Sequence, residues 1–156
     1  MDNTIEIVSF DEEFLKLSGT WLANPILLKA LDIAPVDEIK QRIWFDSLNK
    51  RTDYQVYGVA FNGRKVGVCG LKNITTIDCE FFGYIGDSAF WRFGIGTFMV
   101  DKMIEEAIRR GSKKIYLHVV NSNTPALQLY KKLGFEISLK GIRLTRMEKP
   151  LTNNDW

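Results

Sequence analysis

The sequence predicts a mixed α/β fold, in which a mostly antiparallel sheet contains one parallel strand–helix–strand crossover. The middle of the chain carries three consecutive β-rich runs, which are 55–61, 65–71 and 79–85. Asn62-Gly63 separates the first two, as in a tight hairpin. A long amphipathic stretch at 94–110 then precedes a further β-rich run at 114–120. Because a helix between two strands usually connects a parallel pair, we expect the runs on either side of it to pair in parallel.

The first third of the chain predicts one strand and three helices. Along 4–10, Ile5, Ile7 and Ser9 alternate with Glu6, Val8 and Phe10, and this alternation indicates a strand. Asp11 is a typical N-cap and should open a helix at Glu12, and a second helical piece should follow Pro25. In 36–48 the apolar residues share one helical face and the charged residues lie opposite, so a third helix is expected there.

The last third predicts a short helix followed by two strands. Gly111 should end the long helix. Thr124-Pro125 should open the short helix, because proline is favoured at the first helical position. That helix should end at Leu133-Gly134-Phe135, and two further strands are expected at 135–138 and 142–148.

Length, charge and cysteine content restrict the class of protein. A chain of 156 residues predicts a single domain over 1–156. Its 21 basic and 19 acidic residues leave a net charge of +2, which disfavours nucleic-acid binding. We find no signal peptide or membrane span and expect a cytoplasmic protein. Cys69 and Cys79 lie in β-rich runs without metal-ligand spacing, so buried thiols are expected. With His118 as the single histidine, no metal is predicted.

A glycine-containing turn precedes the long helix. Gly94-Ile95-Gly96 follows a β-rich run and opens the helix, and this is the context in which backbone N–H groups bind phosphate. Met99 stands where a dinucleotide fingerprint requires a small residue. Residues 99–101 also lack the Gly-Lys-Ser/Thr of a P-loop. A third type of glycine-containing loop at a helix start binds the pyrophosphate of coenzyme A.

Two segments, in order, resemble the hallmark segments of the GCN5-related N-acetyltransferases (GNATs). "WRFGIGTFMVDKMIEEA" resembles the acetyl-CoA loop, Gln/Arg-x-x-Gly-x-Gly/Ala, with Trp91 in place of the usual Gln or Arg. "KKIYLHVVNSNTPALQLYKKLGFE" resembles the second segment, matched by Asn123, Ala126, Leu129, Tyr130, Gly134 and Phe135. Trp91 and the early "TWLANP" resemble the subgroup that acts on ribosomal-protein N-termini and amino sugars. The close match covers about 79–136.

The resemblance implies a GNAT-like fold and an acetyl-CoA-dependent N-acetyltransferase. The acetyl group would pass to a primary amine by direct attack in a ternary complex. The residues implied in binding the cofactor are Ile85, Arg92, Phe93, Gly94, Ile95, Gly96, Thr97, Asn123 and Tyr130. Of these, Asn123 is also a typical turn residue before a helix.

Three residues are implied in the chemistry. Tyr130 is the expected general acid for the leaving thiolate, and its alternative is a core residue of the short helix. Glu80 is the expected base for the amine, and its alternative is an exposed strand carboxylate. Gly83 and Gly86 frame Tyr84-Ile85 and indicate a bulge or a close backbone approach. We interpret this as a splayed strand whose Ile85 backbone stabilises the oxyanion.

The sequence leaves the acceptor open. The stretch "KNITTIDCEFFGYI" and "TWLANP" favour an amino-sugar nucleotide. The alternatives are a protein N-terminal amine, a polyamine, or a non-catalytic acyl-CoA-binding module, with a nucleotide-binding or purely structural domain as the remaining class. We expect no nucleic-acid or membrane partner, and whether the chain forms a homodimer stays open.

Overall fold

The computed structural model describes residues 3–91 and 93–152. The strands are β1 (Ile5–Ser9), β2 (Tyr54–Phe61), β3 (Arg64–Lys72), β4 (Asp78–Ile85), β5 (Lys114–Val120), β6 (Glu136–Lys140) and β7 (Leu144–Pro150). The helices are α1 (Glu12–Trp21), α2 (Pro25–Leu31), α3 (Glu38–Ser47), α4 (Ile95–Arg109) and α5 (Thr124–Lys132). No described helix is both long enough and apolar enough to cross a membrane.

The strands form one seven-stranded sheet in the order β1-β2-β3-β4-β5-β7-β6. β4 and β5 pair in parallel, and the other neighbours pair antiparallel. This confirms the predicted fold class and its single parallel pair. The β2–β3 turn has Asn62 at φ 50° and Gly63 at φ 82°, the left-handed conformations that a tight hairpin requires.

Side-chain caps determine where the first three helices begin. The Asp11 carboxylate accepts from the Phe14 N–H and opens α1 as predicted. Asn24 caps α2 in the same way. Asp37 caps α3 through the N–H groups of Ile39 and Lys40, so that helix begins at Glu38, later than the periodicity predicted.

The main core lies between the sheet and α4. The buried side chains that α4 contributes are Ile95, Met99, Val100, Met103, Ile104 and Ala107. A Cβ on Gly83 would lie 2.6 Å from the Met99 methyl, so glycine lets α4 approach β4. Gly86 likewise makes room for the ring of Trp21 at the end of α1. At both glycines the close neighbours are side chains and not backbone, and the β3–β4 register continues through Gly83 without a bulge.

The other face of the sheet is covered in part by α1 and α3. Phe14 of α1 is fully buried against Gly58, and Trp44 of α3 packs edge-on against Tyr54. Ile39 and Ile43 of α3 remain exposed and border a groove of about 940 Å³ between the two helices. None of the predicted site residues lines that groove.

Candidate active site

β4 and β5 separate part-way along their length. They pair only over Asp78–Glu80 and 114–116, so the stretch 81–85 has a strand neighbour on the β3 side alone within the described chain. The Gly86 N–H donates to the Val66 carbonyl at 2.8 Å. Because backbone groups alternate along an antiparallel ladder, Ile85 directs its N–H and C=O away from β3 and into the gap. The splay that the sequence indicated lies here.

The two backbone groups of Ile85 differ in whether they are already bonded. The Ile85 carbonyl accepts a 2.8 Å hydrogen bond from Nε1 of Trp91. The Ile85 N–H has no partner among the described residues. An unpaired N–H beside a cleft can donate to an anionic oxygen, which is the role predicted for Ile85.

The N-terminus of α4 lies beyond the end of β4 and has no side-chain cap. Gly94 occupies the N-cap position at φ 75°, and a Cβ there would meet nothing within 4 Å. Gly96 lies close to Leu129 of α5. The first-turn N–H groups are therefore available to an anion, and the helix dipole favours negative charge at this point.

The predicted cofactor-binding residues 93–97 surround the start of α4. Ile95 is buried, and the ring of Phe93 packs at a tilt against Phe61 and Phe90, at centroid distances of 5.2 and 5.9 Å. Phe93 to Thr97 are thus consecutive around the helix start, as the sequence predicted. Arg92 lies outside the described residues.

Tyr130 lies on α5, on the same side of the sheet as α4. Its ring makes edge contacts with Phe81 and Phe135, at 6.4 and 5.9 Å between centroids. Burial raises the pKa of Tyr130 to about 12. Its hydroxyl makes no hydrogen bond to any described residue. Tyr130 is therefore a packed aromatic side chain, and its hydroxyl is available to a ligand.

Asn123 has a structural role in the same region. Its side-chain oxygen accepts from the Ala126 N–H at 3.3 Å and caps α5. Its amide NH₂ makes no hydrogen bond to the described part of the chain. The prediction that Asn123 contacts the cofactor therefore concerns only that group.

Glu80 lies on the opposite face of the sheet from Phe81 and Tyr130, because successive strand residues point to opposite faces. Its side chain is 13% exposed, so the alternative of an exposed strand carboxylate is wrong. One oxygen accepts from Nδ2 of Asn73 at 3.1 Å, and the other lies 3.1 Å from Nδ1 of His118. Nζ of Lys72 is 3.9 Å away.

His118 is the site residue that sequence reasoning missed, since the chain's single histidine served only to argue against a metal site. Glu80 pairs with Tyr116 across the parallel ladder, and His118 follows two residues later on the same face. The alternation within the β5 sequence places Tyr116 and His118 together, and the strand pairing brings both to Glu80. Its side chain is 39% exposed, so one edge of the ring reaches solvent.

The gap between β4 and β5 joins two chemically different faces. On one face lie the uncapped start of α4 and the Tyr130 hydroxyl. On the other lies the Glu80–His118 pair, at the last residue where β4 and β5 are bonded. A group bound through the gap would contact the Ile85 N–H. No cluster of three or more metal-ligating side chains occurs in the part of the chain that the structure describes.

A family model for the acetyltransferase (GNAT) family matches residues 20–135. The chain belongs to the GNAT acetyltransferase family. This confirms the resemblance drawn from the two sequence segments and supports the prediction of an acyltransferase.

The sequence relatives of this GNAT chain include an uncharacterized protein and a named N-acetyltransferase. An uncharacterized protein of Methanocaldococcus jannaschii is 27% identical over 90% of this chain, which spans only 30% of that protein's length. The ribosomal protein bS18-alanine N-acetyltransferase of Escherichia coli is 26% identical, over 69% of this chain and 77% of its own.

Solved structures show the same fold. A domain from M. jannaschii has a TM-score of 0.85 at 25% identity and covers 96% of this chain and 100% of its own. The Campylobacter jejuni N-acetyltransferase PseH, solved with acetyl coenzyme A, has a TM-score of 0.75 at 20% identity, with 96% and 100% covered.

Proposed function

We propose that the chain is an acetyl-CoA-dependent N-acetyltransferase that acts on a primary amine by direct attack. One observation carries the proposal. The gap between β4 and β5 leaves the Ile85 N–H unpaired among the described residues near the uncapped start of α4, and the Glu80–His118 pair lies on the opposite face of the sheet where the gap begins, five residues earlier on β4.

The cofactor is assigned to the α4 side of the gap. Its pyrophosphate lies on the backbone N–H groups of 93–97, where Gly94 leaves the approach open. The pantetheine arm passes between α5 and the unpaired edge of β4, and the thioester enters the gap. Arg92 and the Asn123 amide are the side chains expected to add contacts to the cofactor.

The amine loses its proton on the other face. The Glu80 carboxylate accepts from Nδ1–H of His118, which leaves the lone pair of Nε2 to take the ammonium proton. This deprotonation is necessary because only about one lysine-like amine in 10³ is neutral near pH 7. Glu80, predicted as the base itself, acts here together with His118.

The free amine then attacks the thioester carbon. Its lone pair forms the C–N bond while the C=O electrons move onto oxygen, where the Ile85 N–H stabilises the oxyanion. When the oxygen reforms the double bond, the C–S bond breaks and the thiolate leaves. Tyr130 gives its hydroxyl proton to that thiolate, and the amide and free coenzyme A depart.

Among acceptors we propose nucleotide-linked amino sugars, as the stretches "TWLANP" and "KNITTIDCEFFGYI" favoured, with protein N-terminal amines as the alternative. The charges near the gap disfavour a polyamine. Nζ of Lys72 lies 3.9 Å from the Glu80 carboxylate, and Arg146 lies 3.8 Å from both Asp78 and Glu148. No described carboxylate on this part of the sheet is left uncompensated to attract a second ammonium group.

The experiment is thiol release from acetyl-CoA with a panel of amines that contains nucleotide-linked amino sugars, short peptides and spermidine. Calorimetric titration with acetyl-CoA and with ATP accompanies it. Binding of acetyl-CoA with amine-dependent thiol release supports the enzyme. Binding without release by any amine would identify a non-catalytic acyl-CoA-binding module, and binding of ATP alone would identify a nucleotide-binding domain.

A further inference from the structure

Trp91 occupies the sequence position where the family's loop usually has Gln or Arg, and the structure shows what its side chain contacts. Its indole is 45% exposed, yet Nε1–H makes a 2.8 Å hydrogen bond to the Ile85 carbonyl. The neighbouring aromatic residues of the loop, Phe90 and Phe93, instead pack on Phe61 of β2. Trp91 therefore contacts the catalytic strand, whereas its neighbours anchor the loop.

A strand edge normally offers both a donor and an acceptor at each residue that faces outward. At Ile85 the acceptor is already occupied by the Trp91 indole, which stands where the N–H of a neighbouring strand would stand. The same peptide is held from its other side, because the Gly86 N–H donates to the Val66 carbonyl of β3. Within the described residues, the Ile85 N–H is the group left without a partner at the end of β4.

We infer that Trp91 is a positioning residue, which holds the Ile85 backbone so that the gap offers a fixed donor and no competing acceptor to the thioester oxygen. The inference rests on the proposed function. It explains how the gap side of β4, whose other side is bonded to β3, offers one N–H in a constant direction without an exposed acceptor beside it. A fixed donor stabilises the oxyanion better than a mobile one, since its orientation need not change during the reaction.

The test uses Trp91→Phe, which keeps a ring and removes the indole N–H. Two ligands that differ at one group separate positioning from cofactor binding. Acetyl-CoA carries the thioester oxygen, and S-ethyl-CoA is a thioether without it. We expect the parent protein to prefer acetyl-CoA by about 3- to 10-fold, the range of one hydrogen bond. The variant should lose most of that preference and bind S-ethyl-CoA as the parent does.

Turnover gives a second readout. Loss of an oxyanion donor costs about 10²–10³-fold in kcat, and a donor left in place but misaligned should cost at least about tenfold. KM for acetyl-CoA should change less than kcat. Trp44→Phe is the matched control, because it makes the same chemical change in α3, where Trp44 packs on Tyr54. That variant should keep the ligand preference and kcat of the parent.

The outcomes separate this inference from the proposed function. A parent protein that binds no acetyl-CoA overturns the proposed function. A parent that acetylates amines, together with a Trp91→Phe variant of equal kcat and equal ligand preference, overturns the inference alone. If the variant does not fold, isotope-labelled parent protein provides the test by NMR. The Trp91 indole N–H should exchange slowly, and the Ile85 amide signal should shift more with acetyl-CoA than with S-ethyl-CoA; a fast-exchanging indole overturns the inference.

Discussion

Tyr130 combines a hydroxyl that no described residue uses with a pKa of about 12, raised by burial. A group with so high a pKa keeps its proton at every pH at which the enzyme would work. The thiolate that leaves has a conjugate-acid pKa near about 8.5, so it needs little acid strength but does need a proton nearby. Its contacts with Phe81 and Phe135 hold the ring in one place. Tyr130 can therefore be a packed core side chain and a general acid at the same time.

Tyr130→Phe should lower kcat by about 10²–10⁴-fold, the usual contribution of a positioned general acid. The ring contacts persist, so acetyl-CoA affinity and the thermal midpoint should change little. The parent should show no alkaline loss of kcat from Tyr130 ionisation below about pH 10, because the raised pKa keeps the hydroxyl protonated. Tyr57→Phe removes a comparable hydroxyl, which contacts Glu106, and serves as the control. Turnover of Tyr130→Phe within about threefold of the parent would leave the residue as core only.

Glu80→Gln should lower the rate near neutral pH and restore it as the pH approaches the pKa of the free amine, because solvent then supplies the neutral nucleophile. His118→Gln should behave alike, and the double variant should lose little more than either single variant, since the two side chains act as one unit. Glu148→Gln alters a carboxylate on the same face, which pairs with Lys114, and is the control. A pH–rate profile of Glu80→Gln that parallels the parent's would exclude the pair as base.

At the scale of elements, the site depends on one strand–loop–helix unit, from β4 through 86–94 into α4. The loop is anchored by phenylalanine rings packed at a tilt, and a glycine with a left-handed conformation precedes the helix. A single substitution at Gly94 would change two properties at once. Its φ of 75° strains any L side chain, and its missing side chain leaves the approach to the helix N-terminus open.

Gly111 at the other end of α4 separates these two effects. It has φ 83°, and a Cβ there, as at Gly94, would meet nothing within 4 Å. Gly94→Val and Gly111→Val should therefore both lower the thermal midpoint through backbone strain. Only Gly94→Val should also weaken acetyl-CoA binding, by at least tenfold or about 1.4 kcal/mol, because only it stands in the path of the phosphates. Equal cofactor affinity in the two variants would move the pyrophosphate away from this loop.

Elements held by local signals were predictable from the sequence, and contacts between distant strands were not. Asp11 caps its helix by accepting from an N–H three residues away, and Asn62-Gly63 makes its own turn, so both follow from short patterns. The Glu80–His118 contact joins strands 38 residues apart and depends on the parallel register. Periodicity alone could place each residue on a face but could not bring the two together. The Trp91 bond to Ile85 is likewise a loop geometry without a sequence signature.

At the scale of the whole molecule, the proposed function puts the two substrates on opposite faces of the sheet, and they would meet at the gap. The cofactor side carries α4 and α5, and the acceptor side carries Glu80 and His118. This arrangement requires both substrates to be bound together, since neither face alone holds all the groups of the reaction. An acetyl-enzyme route would instead need a nucleophile in the gap. Cys69 and Cys79 are buried, and burial raises their pKa values to about 12 and about 11, so neither forms a thiolate near neutral pH.

The kinetic order should therefore be sequential. Initial rates are measured against acetyl-CoA at several fixed amine concentrations. In double-reciprocal plots the lines should converge, whereas a covalent intermediate gives parallel lines. The protein incubated with acetyl-CoA and no amine should keep its mass. Cys79→Ala, which removes one of the two buried thiols, should keep the parent's kcat to within about threefold, far less than the loss expected for a nucleophile. Parallel lines together with a protein whose mass has increased by one acetyl group would refute direct attack. The modified residue, once mapped, would then be the first acceptor of the acyl group, in place of the amine on the Glu80–His118 face.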